Sequence, residues 1–136
     1  MFSPRHSSIA CAASFRQIVN IQSLRNNLIG VDRGQVLMFS DFAEGGPMWT
    51  EEGARMVRQE VNFAETYRKA PQVMVSLSMF DMDSATNKRA DLQAESISRT
   101  GFTIAFKTWG DTRVARARVD WMSIGELAHE DDWNIS

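Results

Sequence analysis

The residues with the most chemical promise form one short run, Lys107-Thr108-Trp109-Gly110-Asp111-Thr112-Arg113. Phe102, Ile104 and Phe106 share one face of a strand just before it, so the same period places Trp109 on the opposite face, at the strand's exit, partly exposed. Aromatic faces pack against the C–H patches of sugars, and arginine and carboxylate groups bind sugar hydroxyls. Trp109 with Arg89 and an acid would supply that combination. The competing interpretation places Trp109 at the edge of the core or at an interface between subunits.

Catalytic and metal-binding patterns are absent from the sequence. His6 and His129 lie in the two terminal segments, where no strand orients a general base. Nothing beside Cys11 would activate it as a nucleophile. Histidine and cysteine do not occur at chelating spacing, and the loop from Asp81 to Lys88 lacks the spacing of a calcium-binding EF-hand, so we interpret it as a solvated turn. We therefore predict a protein that is not an enzyme and has no metal and no cofactor.

Composition excludes several further classes. The 136 residues are the length of one domain, and a formal charge of −2 supplies no basic field for nucleic acid. One cysteine cannot form an intrachain disulfide, so the fold does not require an oxidising compartment. No run approaches the roughly 20 apolar residues of a membrane span. We expect a single domain that neither crosses a membrane nor binds nucleic acid.

The N-terminal segment weakly imitates a signal peptide. Its apolar run, residues 9–13, is short and is soon interrupted by Phe15-Arg16-Gln17. We favour a poorly ordered or marginally helical extension over a secretory signal, so we expect a cytoplasmic protein or export by a non-classical route. Apolar residues from Phe15 to Leu28 recur at helical spacing, which predicts a short arm or helix or else a loose tail. The predicted divisions are an extension at 1–22, a domain at 23–128 and an acidic tail at 129–136.

After Gly30 the apolar period changes to two, which is typical of strands with one buried face. The predicted strands are 35–40, 57–63, 72–80, 90–95, 102–107 and 113–121. No spacing fits a βαβ unit, and turn residues separate the strands. The sequence therefore predicts an all-β fold, a six-stranded antiparallel β-sandwich.

The sixth predicted strand has two distinct faces. Its inward residues are Ala115, Ala117, Val119 and Trp121, and its outward residues are Arg116, Arg118 and Asp120. We expect Trp121 to be a core residue. The outward charges are either solvated, each contributing little, or an interface between subunits whose register they fix.

Several segments resemble, in their order and spacing, the H-type lectin domain, the family of snail agglutinins and of slime-mould discoidin C-terminal domains. The segments are Pro71–Leu77, the Asp81 loop ending in Asn87-Lys88-Arg89, Thr100-Gly101-Phe102, Thr108-Trp109 and Trp121–Gly125. The resemblance covers about Val57 to Gly125. The longer pattern, which includes Trp109 to Arg116, is similar to a bacterial branch of the family.

The resemblance implies a six-stranded sandwich that binds glycans containing galactose or N-acetylgalactosamine near the boundaries between subunits. It also implies self-association as a homotrimer or hexamer and a role in recognition or cell adhesion. The family's binding arginine falls on Arg89 and its tryptophan on Trp109. Its aspartate falls near Glu52, its histidine on Gly110 and its tyrosine on Ala115.

A second function stays open at this point. A structural or assembly module, such as one component of a surface appendage or virion fibre, would keep the sandwich and the trimer with a degenerate sugar site. Glycine and alanine at 110 and 115 favour that alternative, and the retained Arg89 and Trp109 oppose it.

Overall fold

The computed structural model describes residues 21–25 and 28–128. Six strands and two single-turn helices follow one another in these residues. In chain order they are β1 (Ile29–Phe39), α1 (Asp41–Glu44), α2 (Pro47–Thr50), β2 (Arg55–Asn62), β3 (Gln72–Met82), β4 (Asp91–Glu95), β5 (Gly101–Thr108) and β6 (Val114–Glu126). Within the described residues, no helix is long and apolar enough to cross a membrane.

The strands form two antiparallel sheets of three, in the orders β1-β6-β3 and β2-β5-β4. This arrangement confirms the predicted antiparallel sandwich. Alternation along each strand explains it, because one side of every strand is apolar and the two sheets bury those sides against each other. In β6, for example, Ala117 and Val119 are buried and Arg116 is exposed, as the sequence predicts.

Aromatic side chains fill one part of the core. Phe102 lies 5.7 Å from Phe63 and 5.5 Å from Trp121 between ring centroids, so rings from both sheets meet. Trp121 is 8% exposed, which confirms it as a core residue. A Cβ on Gly34 of β1 would lie 2.8 Å from Nε1 of Trp121, so the indole needs a glycine opposite it. The hydroxyls of Tyr67 and Ser123 share a hydrogen bond of 2.8 Å inside this core.

The described part of the predicted N-terminal arm is not helical. Residues 21–25 form no helix, so of the alternatives that the apolar spacing left open for Phe15 to Leu28, these residues fit an arm or tail. A short helix in water needs an apolar face to bury, and Ile21 and Leu28 are exposed here. Residues 1–20, 26–27 and 129–136, which include most of the predicted extension and the whole acidic tail, lie outside the described residues.

Strands β1 and β6 extend furthest beyond their predicted bounds. Strand β1 begins at Ile29 instead of 35, and β6 continues to Glu126 instead of ending at 121. The extra residues pair with each other, from Ile29 opposite Glu126 to Gly34 opposite Trp121. Pairing between distant segments thus overrides the low strand propensity of this glycine-containing stretch.

Candidate functional site

Three loops converge beside one end of the β2-β5-β4 sheet. They are residues 51–54 before β2, 83–90 between β3 and β4, and 109–113 between β5 and β6. The backbone N–H of Gly53 donates to the Gly110 carbonyl at 2.9 Å, which joins the first loop to the third. Side chains join the second loop to the third, so these hydrogen bonds bring the sequence-predicted positions together.

Arg89 and Asp111 form the polar part of the site. Nη1 of Arg89 donates to Oδ1 of Asp111 at 2.6 Å and to Oγ1 of Thr112 at 3.2 Å. The hydroxyl of Thr112 in turn donates to the Asn87 carbonyl at 2.5 Å, and that of Thr108 donates to the Arg89 carbonyl at 2.7 Å. The hydrogen bond from Arg89 lowers the pKa of the Asp111 carboxyl below its ordinary value of 3.8. Arg89 is therefore held as an ion pair whose direction is fixed by two neighbouring threonines.

Gly110 has a conformation and a position that both require glycine. Its φ of +68° lies in the left-handed region. A Cβ at this residue would lie 2.8 Å from Nη1 and 3.0 Å from Cζ of Arg89. The guanidinium thus lies directly over the backbone of residue 110, where any side chain would displace it.

Trp109 is 46% exposed, which agrees with the prediction that it leaves the strand away from the core. It follows Thr108, whose side chain is buried, so Trp109 shares the outer face of the sheet with Lys107. An open slot of about 220 Å³ lies beside the indole and is lined by Ala54, Arg55, Met56, Lys107, Thr108 and Trp109. The indole is therefore available from solvent on the same side as this slot.

Glu52 lies in the first loop with an exposed side chain. The hydrogen bond between Gly53 and Gly110 brings this loop to the third loop, so Glu52 is near the site along the backbone. In the described residues no hydrogen bond of its carboxylate holds it toward Arg89. Ala115 is buried on the inner face of β6 and adds no polar group.

Arg55 is a residue that the sequence interpretation missed. It is only 8% exposed, and its guanidinium donates to the carbonyls of Gly53 at 2.8 Å, Met48 at 3.2 Å and Gly110 at 3.2 Å. One buried side chain thus holds α2 and two loops of the site in place. The sequence could have predicted this burial, because Val57 points inward and Arg55, two residues earlier at the start of β2, lies on the same face of the strand.

Asp111 and Met56 also lie at the candidate site, although the sequence interpretation did not assign them to it. Asp111 lies two positions after Trp109 and is the acid that pairs with Arg89, whereas the resemblance placed the family's binding aspartate near Glu52. Met56 lies beside Trp109 on the outer face and is 41% exposed. Among residues 21–25 and 28–128, no group of histidine, cysteine, aspartate and glutamate is arranged to hold a metal ion.

Comparison with known proteins identifies the class of this fold. The family model of the H-type lectin domain matches residues 58–124. A protein from Fuscovulum blasticum, described as ATP synthase subunits region ORF 7, is 52% identical over 107 residues, which are 79% of this chain and 93% of that protein. The chain therefore belongs to the H-type lectin family, a family of carbohydrate-binding lectins, as the sequence motifs predict.

Two proteins from Dictyostelium discoideum are also similar. One of the discoidin-1 polypeptides is 31% identical over 75 residues, which are 54% of this chain and 30% of that protein. The structure of discoidin II has a TM-score of 0.65 and 22% identity, and it covers 80% of this chain and 40% of the discoidin II chain. The chain thus spans less than half the length of either discoidin, and the likeness to discoidin II shows the shared fold.

Proposed function

We propose that this protein is a lectin for galactose or N-acetylgalactosamine-type glycans and acts in recognition or cell adhesion. The observation that carries the proposal is the pairing of an anchored, partly exposed Arg89 with an exposed Trp109 at one end of a sheet. Arginine supplies oriented donors, and the indole supplies a flat apolar surface. A sugar ring needs both, because it has hydroxyls around its edge and C–H groups on its faces.

The donors of Arg89 are available for a ligand. Only Nη1 is engaged within the described residues, by Asp111 and Thr112, which leaves Nε and Nη2 without a partner there. These two nitrogens lie in one rigid plane and suit two adjacent hydroxyl oxygens of a sugar. Asp111 is half exposed, and its second oxygen can accept from a hydroxyl. The pair therefore supplies donors and an acceptor at fixed positions.

Trp109 supports the choice of galactose-type sugars. The axial 4-hydroxyl of galactose leaves the C–H groups of C3, C4 and C5 together on one face, which an indole can cover. Contacts of this kind contribute about 1–3 kcal/mol when the aromatic residue is well placed. Gly110 and Ala115 add no side-chain contact to the sugar. The affinity for one sugar is therefore carried mainly by Arg89, Asp111 and Trp109.

The role of Arg89 is tested with Arg89→Lys, because lysine keeps the charge and loses the planar pair of donors. Titration calorimetry with methyl galactoside should show at least a tenfold weaker Kd, with a thermal midpoint close to that of the wild type. Arg58→Lys is the matched control, since Arg58 also forms an ion pair on this sheet, with Glu95 at 3.1 Å. Equal affinity of Arg89→Lys and the wild type would remove Arg89 from the site.

The role of Trp109 is tested with Trp109→Ala, which should cost about 1–3 kcal/mol of affinity with little loss of stability. Trp49→Ala is the control, because Trp49 contacts only Phe42 among the aromatic rings of the described residues, with centroids 5.0 Å apart. Unfolding as the main effect of Trp109→Ala would instead identify the indole as a structural residue. A glycan array on the wild type then identifies the preferred sugar.

We also propose that the protein is a homotrimer that associates through the outer face of the β1-β6-β3 sheet. Exposed apolar side chains on this face are Val31, Leu37, Met74, Met122 and Ile124. Among them, Oδ1 of Asp120 is buried without a hydrogen-bond partner in the described part of the chain. A donor from a second copy would satisfy it. Arg116 and Arg118 already contact Asp81 at 3.5 Å and Ser78 at 3.0 Å, so Asp120 is the better polar anchor.

Light scattering tests this assembly. The native protein should have three times the 15.4 kDa mass of one chain. The double variant Met74→Glu with Met122→Glu places two carboxylates opposite each other on that face and should be monomeric. Circular dichroism checks that the double variant is folded. A native mass of one chain would refute the trimer, and a double variant that stays trimeric would place the interface elsewhere.

The second candidate is a structural or assembly module that has lost sugar binding. The small residues at 110 and 115 favour it, because neither adds a polar side chain to the site. Such a protein would assemble normally and bind nothing on the glycan array. A trimer with no galactoside binding is therefore the result that selects this alternative.

A further inference from the structure

The slot beside Trp109 is apolar although it lies against polar residues. Met56 is opposite Lys107 in the ladder between β2 and β5, so their side chains share the outer face with Trp109. Arg55 and Thr108 are also opposite each other, one position along, and point to the buried side. The surface that a ligand meets is therefore the Met56 thioether, the indole, the Ala54 methyl and the stem of Lys107.

The polar groups beneath the slot already have hydrogen-bond partners within the protein. The guanidinium of Arg55 donates to the carbonyls of Gly53, Met48 and Gly110. The Thr108 hydroxyl donates to the Arg89 carbonyl, and the backbone groups between β2 and β5 bond each other in the ladder. A hydroxylated group placed over these groups would lose hydrogen bonds to water and gain none from them. An apolar group makes no hydrogen bonds to water, so it loses none when it enters the slot.

The slot is large enough for such a group. Its volume of about 220 Å³ exceeds the roughly 150 Å³ of a closed apolar cavity that accommodates benzene. Trp109 lines the slot and is also part of the proposed sugar site, and Gly110 and Asp111 follow it in the chain. Whatever occupies the slot can thus be attached to a sugar bound at Arg89.

We propose that this slot is a second subsite, which binds an apolar aglycone, an alkyl or aryl group linked to the sugar. This inference rests on the proposed function, because it takes the sugar at Arg89 and Trp109 as its starting point. The subsite adds a preference for sugars that carry an apolar aglycone. Arg89 and Asp111 do not produce this preference, because neither lines the slot. Met56 is the residue that determines the preference.

The experiment compares methyl and butyl galactoside by titration calorimetry on the native protein. Each buried methylene is worth about fourfold in affinity, and the slot is open on one side, so we expect butyl galactoside to bind about tenfold more tightly. Met56→Gln keeps the length of the side chain and makes its end polar. This variant should bind methyl galactoside as the wild type does, with the preference for butyl reduced to about twofold or less.

Ile97→Gln is the matched control. Ile97 is 37% exposed, close to the 41% of Met56, and lies in the loop between β4 and β5 outside the slot. It should keep the tenfold preference. Equal affinity of the wild type for the two galactosides, or an unchanged preference in Met56→Gln, overturns the subsite alone. Failure of the wild type to bind either galactoside overturns the proposed galactoside function and the subsite with it.

Discussion

Replacing Gly110 by alanine adds one methyl group at a point that would lie 2.8 Å from Nη1 of Arg89. The left-handed backbone, with a φ of +68°, costs an alanine about 1–2 kcal/mol of stability. The methyl group also moves the guanidinium away from Asp111, because a flexible side chain yields before the backbone does. Losing a well-oriented charged donor should cost about 1.5–3 kcal/mol of binding, roughly a 10- to 150-fold higher Kd for methyl galactoside.

Gly45→Ala is a closely matched control. Gly45 has a φ of +69°, and an added Cβ would have nothing within 4 Å. Urea denaturation should give both variants the same loss of stability, within about 1 kcal/mol. Calorimetry should show weaker binding only in Gly110→Ala. Wild-type affinity in Gly110→Ala, or an equal loss of affinity in Gly45→Ala, would refute the idea that this glycine keeps Arg89 in position.

Three further predictions concern the core, the loops and pH. Trp121→Ala should lower the free energy of unfolding in urea by about 3–5 kcal/mol, and a loss below about 1 kcal/mol would contradict its place in the core. Arg55→Met leaves buried carbonyls without a hydrogen-bond donor, whereas Arg55→Lys restores one donor. Galactoside binding should therefore be weaker in Arg55→Met than in Arg55→Lys. Equal affinities of the two variants would show that Arg55 does not position the loops. Because the pKa of Asp111 is lowered in the folded protein, its ion pair with Arg89 stabilises the site above pH 3.8 and is lost as pH falls through the lowered pKa. Galactoside affinity should fall in that acidic range in the wild type, and the same fall in Asp111→Asn would assign it to another group.

The strands were largely predictable from the sequence because their alternation is regular. Residues 72–80 and 102–107 lie inside β3 and β5. The first half of β1 was not predictable, because Gly30 and Gly34 have low strand propensity and are held there by pairing with β6. Helices α1 and α2, on either side of the Gly45-Gly46 break, have a single turn each, which is too short to give a periodic signal.

The candidate site was predictable only in part. Arg89 and Trp109 were identified from motif and exposure, and the structure brings the loops that carry them together. Asp111 was not selected as the partner of Arg89, because the sequence does not determine which of several nearby acids reaches a given arginine. Arg55 was overlooked because an arginine at the start of a strand is usually solvated, and its burial depends on three carbonyls from distant loops.

The hydrogen bonds within the candidate site also determine when the site can form as the chain is synthesised. The hydrogen bond from Arg55 to the Gly110 carbonyl joins residues 55 positions apart, and that from Arg89 to Asp111 joins residues 22 apart. Contacts between distant segments form only after the intervening chain is made and its loops are closed. A nascent chain that ends within β5 therefore has neither the ion pair nor the anchored loop. The candidate site can therefore be complete only after the chain beyond β5, as far as Asp111, has been made.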